Sequence, residues 1–319
     1  IFAVLDCFDT CSTAGRILRS VSTAGYDKRE MAPECVVCQS PMRVAHPAWL
    51  CRCPRCGFLA STLESQAGVP ADGAVLDEQR RERALRPLRT RAFSRMLQRL
   101  GRYRPLRDAR LLDVGSAHGW FLDAGRAAGL VVTGVEPDVG VSRTSTQRGH
   151  RVLHGLFPQA VPPDERFDVI SFHDTLEHFP DPGAAISSAR RLLHPRGVLL
   201  VSLPSRLGIF YRAAQVASFL GVDAPLERLW QKGFPSPHLA YFAPEEFHAW
   251  VARHGFRFLW SQALPSLAWH GLWDRVSYGR GVGTAGNVLA FAAAAAMVPF
   301  LRALPPDTIF AIYERGENT

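Results

Sequence analysis

The sequence predicts an α/β fold, a mostly parallel, doubly wound sheet preceded by a small metal-binding unit. Three observations predict it. Strand-length apolar runs alternate with helical stretches from residue 110 to residue 203, a glycine turn joins the first of these strands to the first helix, and all seven cysteines fall within the first 56 residues. A chain of 319 residues that is 47% hydrophobic has room for one α/β domain of about 200 residues and a smaller appendage.

The elements follow in order. Residues 1–30 show little periodicity and are expected to be a leader without function, with the natural product starting at Met31. Asp6 and Asp9 interrupt the apolar residues 1–8 and no basic segment precedes them, so a signal peptide is not expected and the setting reads as cytoplasmic. Residues 31–65 hold the paired cysteines and form the expected knuckle, and a Gly- and Pro-containing linker covers residues 66–73. Residues 76–106 carry apolar positions at Leu85, Leu88, Phe93, Met96, Leu97 and Leu100, a helical period that Pro87 should kink or divide.

From residue 110 the pairs are a strand at 111–114 and a helix at 120–128, a strand at 131–135 and a helix at 140–147, a strand at 167–172 and a helix at 182–193, then a strand at 198–203. Such alternation implies a parallel sheet covered on both faces. Insertions are expected at 205–240 and 261–307, with a helix at 207–220, another at 244–254, and terminal strands at 256–260 and 308–313. Residues 288–301 are almost wholly apolar, but they number fourteen and include Pro299, whereas a bilayer needs about 20. A buried helix is expected there, ahead of one lying at a membrane surface.

The net charge is +8, yet of the 37 basic residues only Lys28 and Lys232 are lysine, a skew that suggests coding bias more than a polyanionic partner. Twelve arginines fall between Arg80 and Arg110, opposed by Glu82 and Asp108. A solvated helix face is the expectation, ahead of a phosphate-binding patch.

Cys35-Val-Val-Cys38 and Cys53-Pro-Arg-Cys56-Gly57 stand fourteen residues apart. Each pair offers two thiolates to one ion, and four thiolates complete a closed tetrahedral shell, so a structural Zn2+ on Cys35, Cys38, Cys53 and Cys56 is expected. Cys51 is an alternative to Cys53 with poorer spacing to Cys56. About thirty residues cannot bury a sufficient core alone, so metal binding should supply the folding energy.

In Arg110-Leu-Leu-Asp113-Val-Gly115-Ser116-Ala117-His118-Gly119-Trp120 a strand ends in an acid and a small-residue turn, and a helix starts. A second strand closes on Glu136, followed by Pro137, 23 residues after Asp113, where a carboxylate can accept ribose hydroxyls. An acid at the first strand would repel a pyrophosphate, which argues against a dinucleotide dehydrogenase. It suits a ligand carrying positive charge.

With these residues the sequence resembles the class I methyltransferases that bind S-adenosyl-L-methionine, in which Ala117 stands at a position that is usually glycine. Phe167-Asp168 through Asp174, Glu177, His178 and Pro182 resembles the fourth-strand motif of the ubiquinone-biosynthesis type, and residues 193–201 and 238–256 resemble its later segments. The resemblance implies a seven-stranded sheet with its last strand antiparallel. It also implies cofactor contacts from Asp113, Gly115, Ser116, Ala117, His118, Gly119, Glu136, Pro137, His173 and Asp174, and an acceptor facing His178. The family's adenine-contacting residue after the third strand finds no match near residues 155–158.

Methyl transfer from a sulfonium is an in-line displacement that needs alignment and, for some acceptors, a base. His178, Asp174 and His238 are the candidates. A helix-start histidine that is only hydrogen-bonded is an equal expectation for His178, and simple packing is the leading one for His238. The functional expectation is methyl transfer to a small-molecule acceptor of sugar, lipid-linked or secondary-metabolite type. The alternatives are an RNA methyltransferase using the knuckle and the arginine-rich helix, and a non-catalytic module that binds S-adenosyl-L-methionine.

Overall fold

The structure, a computed structural model, describes residues 33–66, 78–264, 269, 272–277 and 284–317. The expected leader, residues 67–73 of the expected linker and part of the 261–307 insertion lie outside the described residues.

Three short strands come first, β1 (Arg43–Val44), β2 (Leu50–Arg52) and β3 (Leu59–Ser61), and then a long helix, α1 (Glu78–Leu100). The alternating region follows: β4 (Arg110–Val114), α2 (Trp120–Ala127), β5 (Val131–Glu136), α3 (Val139–Gln147), β6 (Arg151–His154) and β7 (Phe167–His173). A 3₁₀ turn (Leu176–His178) leads to α4 (Pro182–Leu192) and β8 (Leu193–Pro204). After it come α5 (Ile209–Phe219), α6 (Ala224–Leu229), β9 (Ala240–Tyr241), α7 (Pro244–Arg253), β10 (Phe256–Leu264), α8 (Leu272–Ser277), α9 (Thr284–Met297) and β11 (Thr308–Arg315).

Local chemistry places several boundaries. Asp138 caps α3 by accepting the N–H groups of Gly140 and Val141 at 2.8 and 3.1 Å, and Asp181 caps α4 through Ala184 at 2.8 Å with Pro182 in the first turn, the side-chain acceptor and fixed φ that helix starts favour. Both faces of β7 are buried. Val169 packs with Phe93 and Met96, while Ile170 and Phe172 pack with Leu112 and Val114, so the strand reads as a nearly continuous apolar run.

The main sheet has seven strands in the order β10-β11-β8-β7-β4-β5-β6. β4 pairs in parallel with β5 and β7, and β11 runs antiparallel to both β8 and β10, as expected of the seven-stranded sheet. Chain order reverses at β4, which lies between β5 and β7. In an open α/β sheet the ligand crevice lies outside the carboxyl ends of the strands at such a point.

A second sheet, β1-β2-β3-β9, joins the cysteine-bearing segment to the large domain, because β3 pairs with β9 through Leu59↔Tyr241 and Ala60↔Ala240. Cys35, Cys53 and Phe58 share one core with Leu112, Phe242, Phe247 and Trp250, and the Phe58 and Phe242 rings are 4.9 Å apart. The segment expected to stand as an appendage is therefore built into the main core.

Two expectations are corrected. Pro87 does not divide helix α1, which runs on to Leu100, because burial of Phe93, Met96, Leu97 and Leu100 against Leu111 and Phe121 outweighs the one lost N–H. The apolar segment at 288–301 is not a buried helix. α9 buries Ala294 and Val298 against Leu272 and Val276 of α8, while Val288 is 49% and Phe300 68% exposed. A two-helix hairpin covers only one stripe of an all-apolar helix. No helix among the described residues is long and apolar enough to cross a membrane.

Candidate functional site

The glycine turn lies at the carboxyl end of β4. Gly115, Ala117 and Gly119 all adopt left-handed backbone, with φ of 73°, 44° and 72°. The N–H groups of Gly115 and Ser116 both donate to the Val135 carbonyl of β5, at 2.8 and 3.1 Å. Glu136, 8% exposed, holds the turn from the neighbouring strand: its Oε2 accepts the Ala117 N–H at 2.9 Å and its Oε1 the Asp138 N–H at 3.0 Å. Burial raises its carboxyl pKa against the lowering effect of those two donors. A carboxylate offers about four acceptor sites, so the two protein donors leave capacity for ribose hydroxyls. Pro137 is half-buried beside it.

Gly115 serves the sharp turn with its left-handed backbone, and it also answers a packing demand within the protein. A Cβ there would come within 2.6 Å of Thr175, so the glycine makes room for the chain leaving β7. His118 stacks on Trp120 with ring centroids 5.0 Å apart, and its carbonyl accepts from Arg148. The Ser116 hydroxyl is buried without a hydrogen-bond partner among the described residues.

Asp113 is 3% exposed and accepts from the Ser171 hydroxyl at 2.7 Å. Burial lifts its pKa to about 7, opposed by the Ser171 bond and reinforced by the charge of Glu136. His173 lies on the same face of the sheet, its ring 4.2 Å from Phe121 and 5.1 Å from Phe93, with Nδ1 3.1 Å from the Ser202 hydroxyl. Burial lowers its pKa to about 3 and keeps it neutral. Its backbone ends β7, but its side chain points into the α1–α2 layer, and Nε2 is buried without a partner among the described residues. Asp174, with φ of 49°, ion-pairs with Arg89 of α1, while its second oxygen is buried and without a partner among the described residues. Nothing in the local sequence signals the Arg89 contact, which joins residues 85 positions apart.

The 3₁₀ turn brings Glu177 and two of the candidate bases, His178 and His238, together. Glu177, 1% exposed, has both carboxylate oxygens without partners among the described residues, and burial raises its pKa well above the usual carboxylate range. Its Oε1 lies 4.0 Å from His238 Nε2, and the His178 and His238 rings are 4.7 Å apart. One ligand atom from each of the three lies within 4.8 Å of the others, a spacing that could hold a metal ion. His178 Nδ1 donates to the Pro237 carbonyl at 2.9 Å, which leaves Nε2 as the basic nitrogen of the neutral ring.

His238 is held differently. Tyr241 donates its one hydroxyl proton to the Leu229 carbonyl at 2.8 Å, so it accepts from His238 Nδ1 at 3.1 Å, and Gln231 Nε2 then donates to His238 Nε2 at 2.9 Å. Burial and the nearby His178 lower its pKa well below the ordinary value. Gln231 and Tyr241, absent from the sequence-derived site, use both of its ring nitrogens.

Cys35, Cys38, Cys53 and Cys56 converge, with Sγ–Sγ separations of 3.5 Å for Cys35–Cys56 and 3.4 Å for Cys38–Cys53, and all four sulfurs lie within 4.8 Å of one another. Two thiolates bound tetrahedrally at about 2.3 Å from one zinc would stand roughly 3.8 Å apart, so the four sulfurs suit one such ion. Cys51, buried in β2, stands outside the cluster.

Several arginines of the 80–110 run are spent inside the molecule. Arg89 meets Asp174, Arg104 meets Asp168 at 2.8 Å, Arg110 meets Glu165 at 2.8 Å, and Arg99 stacks 4.0 Å from the Trp260 ring centre.

Residues 77–261, more than half of the chain, match the family model described as a methyltransferase domain. A ubiquinone biosynthesis O-methyltransferase of Haemophilus ducreyi is 34% identical over 110 residues, covering 30% of this chain and 46% of that protein. One of Nitrosococcus oceani is 29% identical over 206 residues, covering 62% and 82%. The chain thus spans about half the length of the first relative and most of the second. A chain from the Haloferax volcanii complex of the Trm112 methyltransferase activator superposes with a TM-score of 0.52 at 15% identity, covering 76% of this chain and 94% of that one, a likeness of fold.

Proposed function

The chain belongs to the methyltransferase domain family, and from that membership we propose that it transfers a methyl group from S-adenosyl-L-methionine to a small-molecule acceptor bound at the carboxyl ends of β7 and β8. The observation that carries the reading is a set of buried polar atoms, unpartnered among the described residues, in the segments that leave the carboxyl ends of the strands. Ser116 Oγ, Asp174 Oδ1 and both oxygens of Glu177 follow β4 and β7, beside the turn that Glu136 holds. Buried polar groups are almost always hydrogen-bonded, so a polar ligand at these strand ends would satisfy them.

When bound, the sulfonium of S-adenosyl-L-methionine makes its methyl group electrophilic. Glu136 would accept the ribose hydroxyls, and the left-handed turn at 115–119 would lie along the ligand. The Arg89–Asp174 pair would hold α1 over these strand ends and keep water out. His178, with Nε2 basic, is the group suited to take a proton from an acceptor hydroxyl or amine. His238, with both ring nitrogens used, would position His178 and the segment behind it. A structural Zn2+ on the four clustered cysteines would lock the small sheet whose last strand, β9, follows His238 by two residues. The arginine contacts inside the molecule count against the RNA-methylating alternative.

Incubation of the zinc-loaded chain with methyl-labelled S-adenosyl-L-methionine and fractionated metabolite pools tests the reading, and label is expected in a small-molecule fraction. Label in RNA, lost steeply between about 50 and 200 mM salt, would favour that alternative. Tight cofactor binding without any transfer would favour the non-catalytic module.

A further inference from the structure

Between the cysteine-bearing sheet and α5 lies a cavity of about 90 Å³ lined by three guanidinium groups and, among the described residues, no carboxylate: Arg52 of β2, Arg206 just after β8, and Arg212 of α5, with Gly57, Leu59 and Gln215 completing most of the wall. A water needs roughly 10–15 Å³ of such volume, so the space admits a larger polar group. We propose that this cavity binds a phosphate or diphosphate group and that the group belongs to the methyl acceptor, a deepening that rests on the small-molecule reading above.

The three arginines are not equivalent. Arg206 is fixed and largely neutralised, since Glu246 accepts from its Nε and Nη2 at 3.1 and 2.9 Å and the Cys56 carbonyl accepts from Nη2 at 3.1 Å. Gly57 gives it room: a Cβ there would come within 2.9 Å of Arg206 Nη2, and the residue has φ of 80°. Arg52 and Arg212 are exposed and pair with no carboxylate among the described residues. Two uncompensated guanidinium forks converging on one space, with the Gln215 amide beside them, present the donors that bind phosphate oxygens in pairs.

The position favours the acceptor as source. Arg206 follows the carboxyl end of β8, which lies beside β7 and therefore on the same edge of the sheet as His178. Leu59 in the cavity wall pairs with Tyr241, whose hydroxyl holds His238. An acceptor anchored here by its anionic group would have the cysteine-bearing sheet along its path toward His178.

Calorimetric titration of the zinc-loaded full chain with inorganic phosphate, pyrophosphate and a hexose 1-phosphate tests the proposal without measuring methyl transfer, so its failure is separate from failure of the proposed reaction. Saturable binding is expected, weakened at least tenfold in the double variant Arg52→Gln/Arg212→Gln. Both residues are exposed, so melting temperature should not change. Wild-type protein that binds none of the three, or a double variant that binds them equally well, overturns the site. The sugar phosphate should bind more tightly than the inorganic anion, and equal affinity would overturn its assignment to the acceptor. Glu246→Gln, which releases Arg206 from its carboxylate, should tighten anion binding, and an unchanged affinity would contradict the role given to Arg206.

Discussion

The Glu136 carboxylate accepts the backbone N–H of Ala117 at 2.9 Å, so the acid at the tip of one strand holds the turn that follows its neighbour. Removing it takes away the proposed acceptor of the ribose hydroxyls and unfastens the turn together. Glu136→Ala is expected to weaken S-adenosylhomocysteine binding by at least the 1–3 kcal/mol of a lost charged hydrogen bond, and to lower the melting temperature as well. Calorimetry and a thermal melt on the same sample check both, and unchanged affinity removes Glu136 from the site.

Ala117 has φ of 44°, a region that disfavours residues with a Cβ. Left-handed backbone costs an L-residue roughly 1–2 kcal/mol, and glycine gives back about 0.5–1 kcal/mol of that in chain entropy. Ala117→Gly should therefore fold with equal stability or up to about 1 kcal/mol more, while Ala117→Val should lose more than 1 kcal/mol. Urea midpoints decide it, and a destabilised glycine variant would contradict the strain.

Asp113, lifted to about 7 by burial, holds its proton more tightly in the folded chain than in the unfolded one. Between about pH 4 and 7 the folded state binds more protons, so this residue lowers stability as pH rises through that window. Three units correspond to about 4 kcal/mol as an upper bound. Asp113→Asn keeps an acceptor for Ser171 and should gain on the wild type by a few kcal/mol at pH 8, with little gain at pH 4. A stability difference that stays flat between those two values would show that the carboxyl titrates normally.

Metal analysis should find one zinc per chain, lost in Cys38→Ser and kept in Cys51→Ala, because Cys51 stands outside the sulfur cluster. Since β3 pairs with β9 and Phe58 packs on Phe242, loss of the ion should raise hydrogen exchange at residues 238–242 as well as in the cysteine segment. Exchange confined to residues 33–66 would contradict the shared core.

His178→Gln should lower kcat by about a hundredfold or more if an acceptor proton is removed there, the usual contribution of a general base, with S-adenosylhomocysteine affinity unchanged. His238→Gln should act through position and leave the pH–rate profile of the remaining activity in place. A His178 variant with full kcat would leave the residue a structural role, its hydrogen bond to Pro237 included.

Much of the fold was legible because its signals are local. The strand–turn–helix at 110–127 and the β7 run at 167–173 carry their periods and glycines within a dozen residues, and the paired cysteines carry theirs in two C-x-x-C units. The site was legible as a set of strand-end residues but not as directions. Asp113 and His173 were named from the motif, yet the Asp113 carboxyl is taken up by Ser171 of the neighbouring strand and the His173 ring packs on Phe121 of α2. The apolar period of 288–301 says helix without saying how much of it a neighbour covers.

Hydrophobic period, turn glycines and cysteine spacing act over a few residues, so the chain's own order already determined the class of sheet, the bend after β4 and the four sulfurs. What only tertiary structure decided are the contacts that span many residues: Arg89 on Asp174, β3 on β9, Gln231 and Tyr241 on His238, and Arg52 beside Arg206 and Arg212. Each depends on where packing of a common core brings two distant segments together, a relation with no local period to announce it.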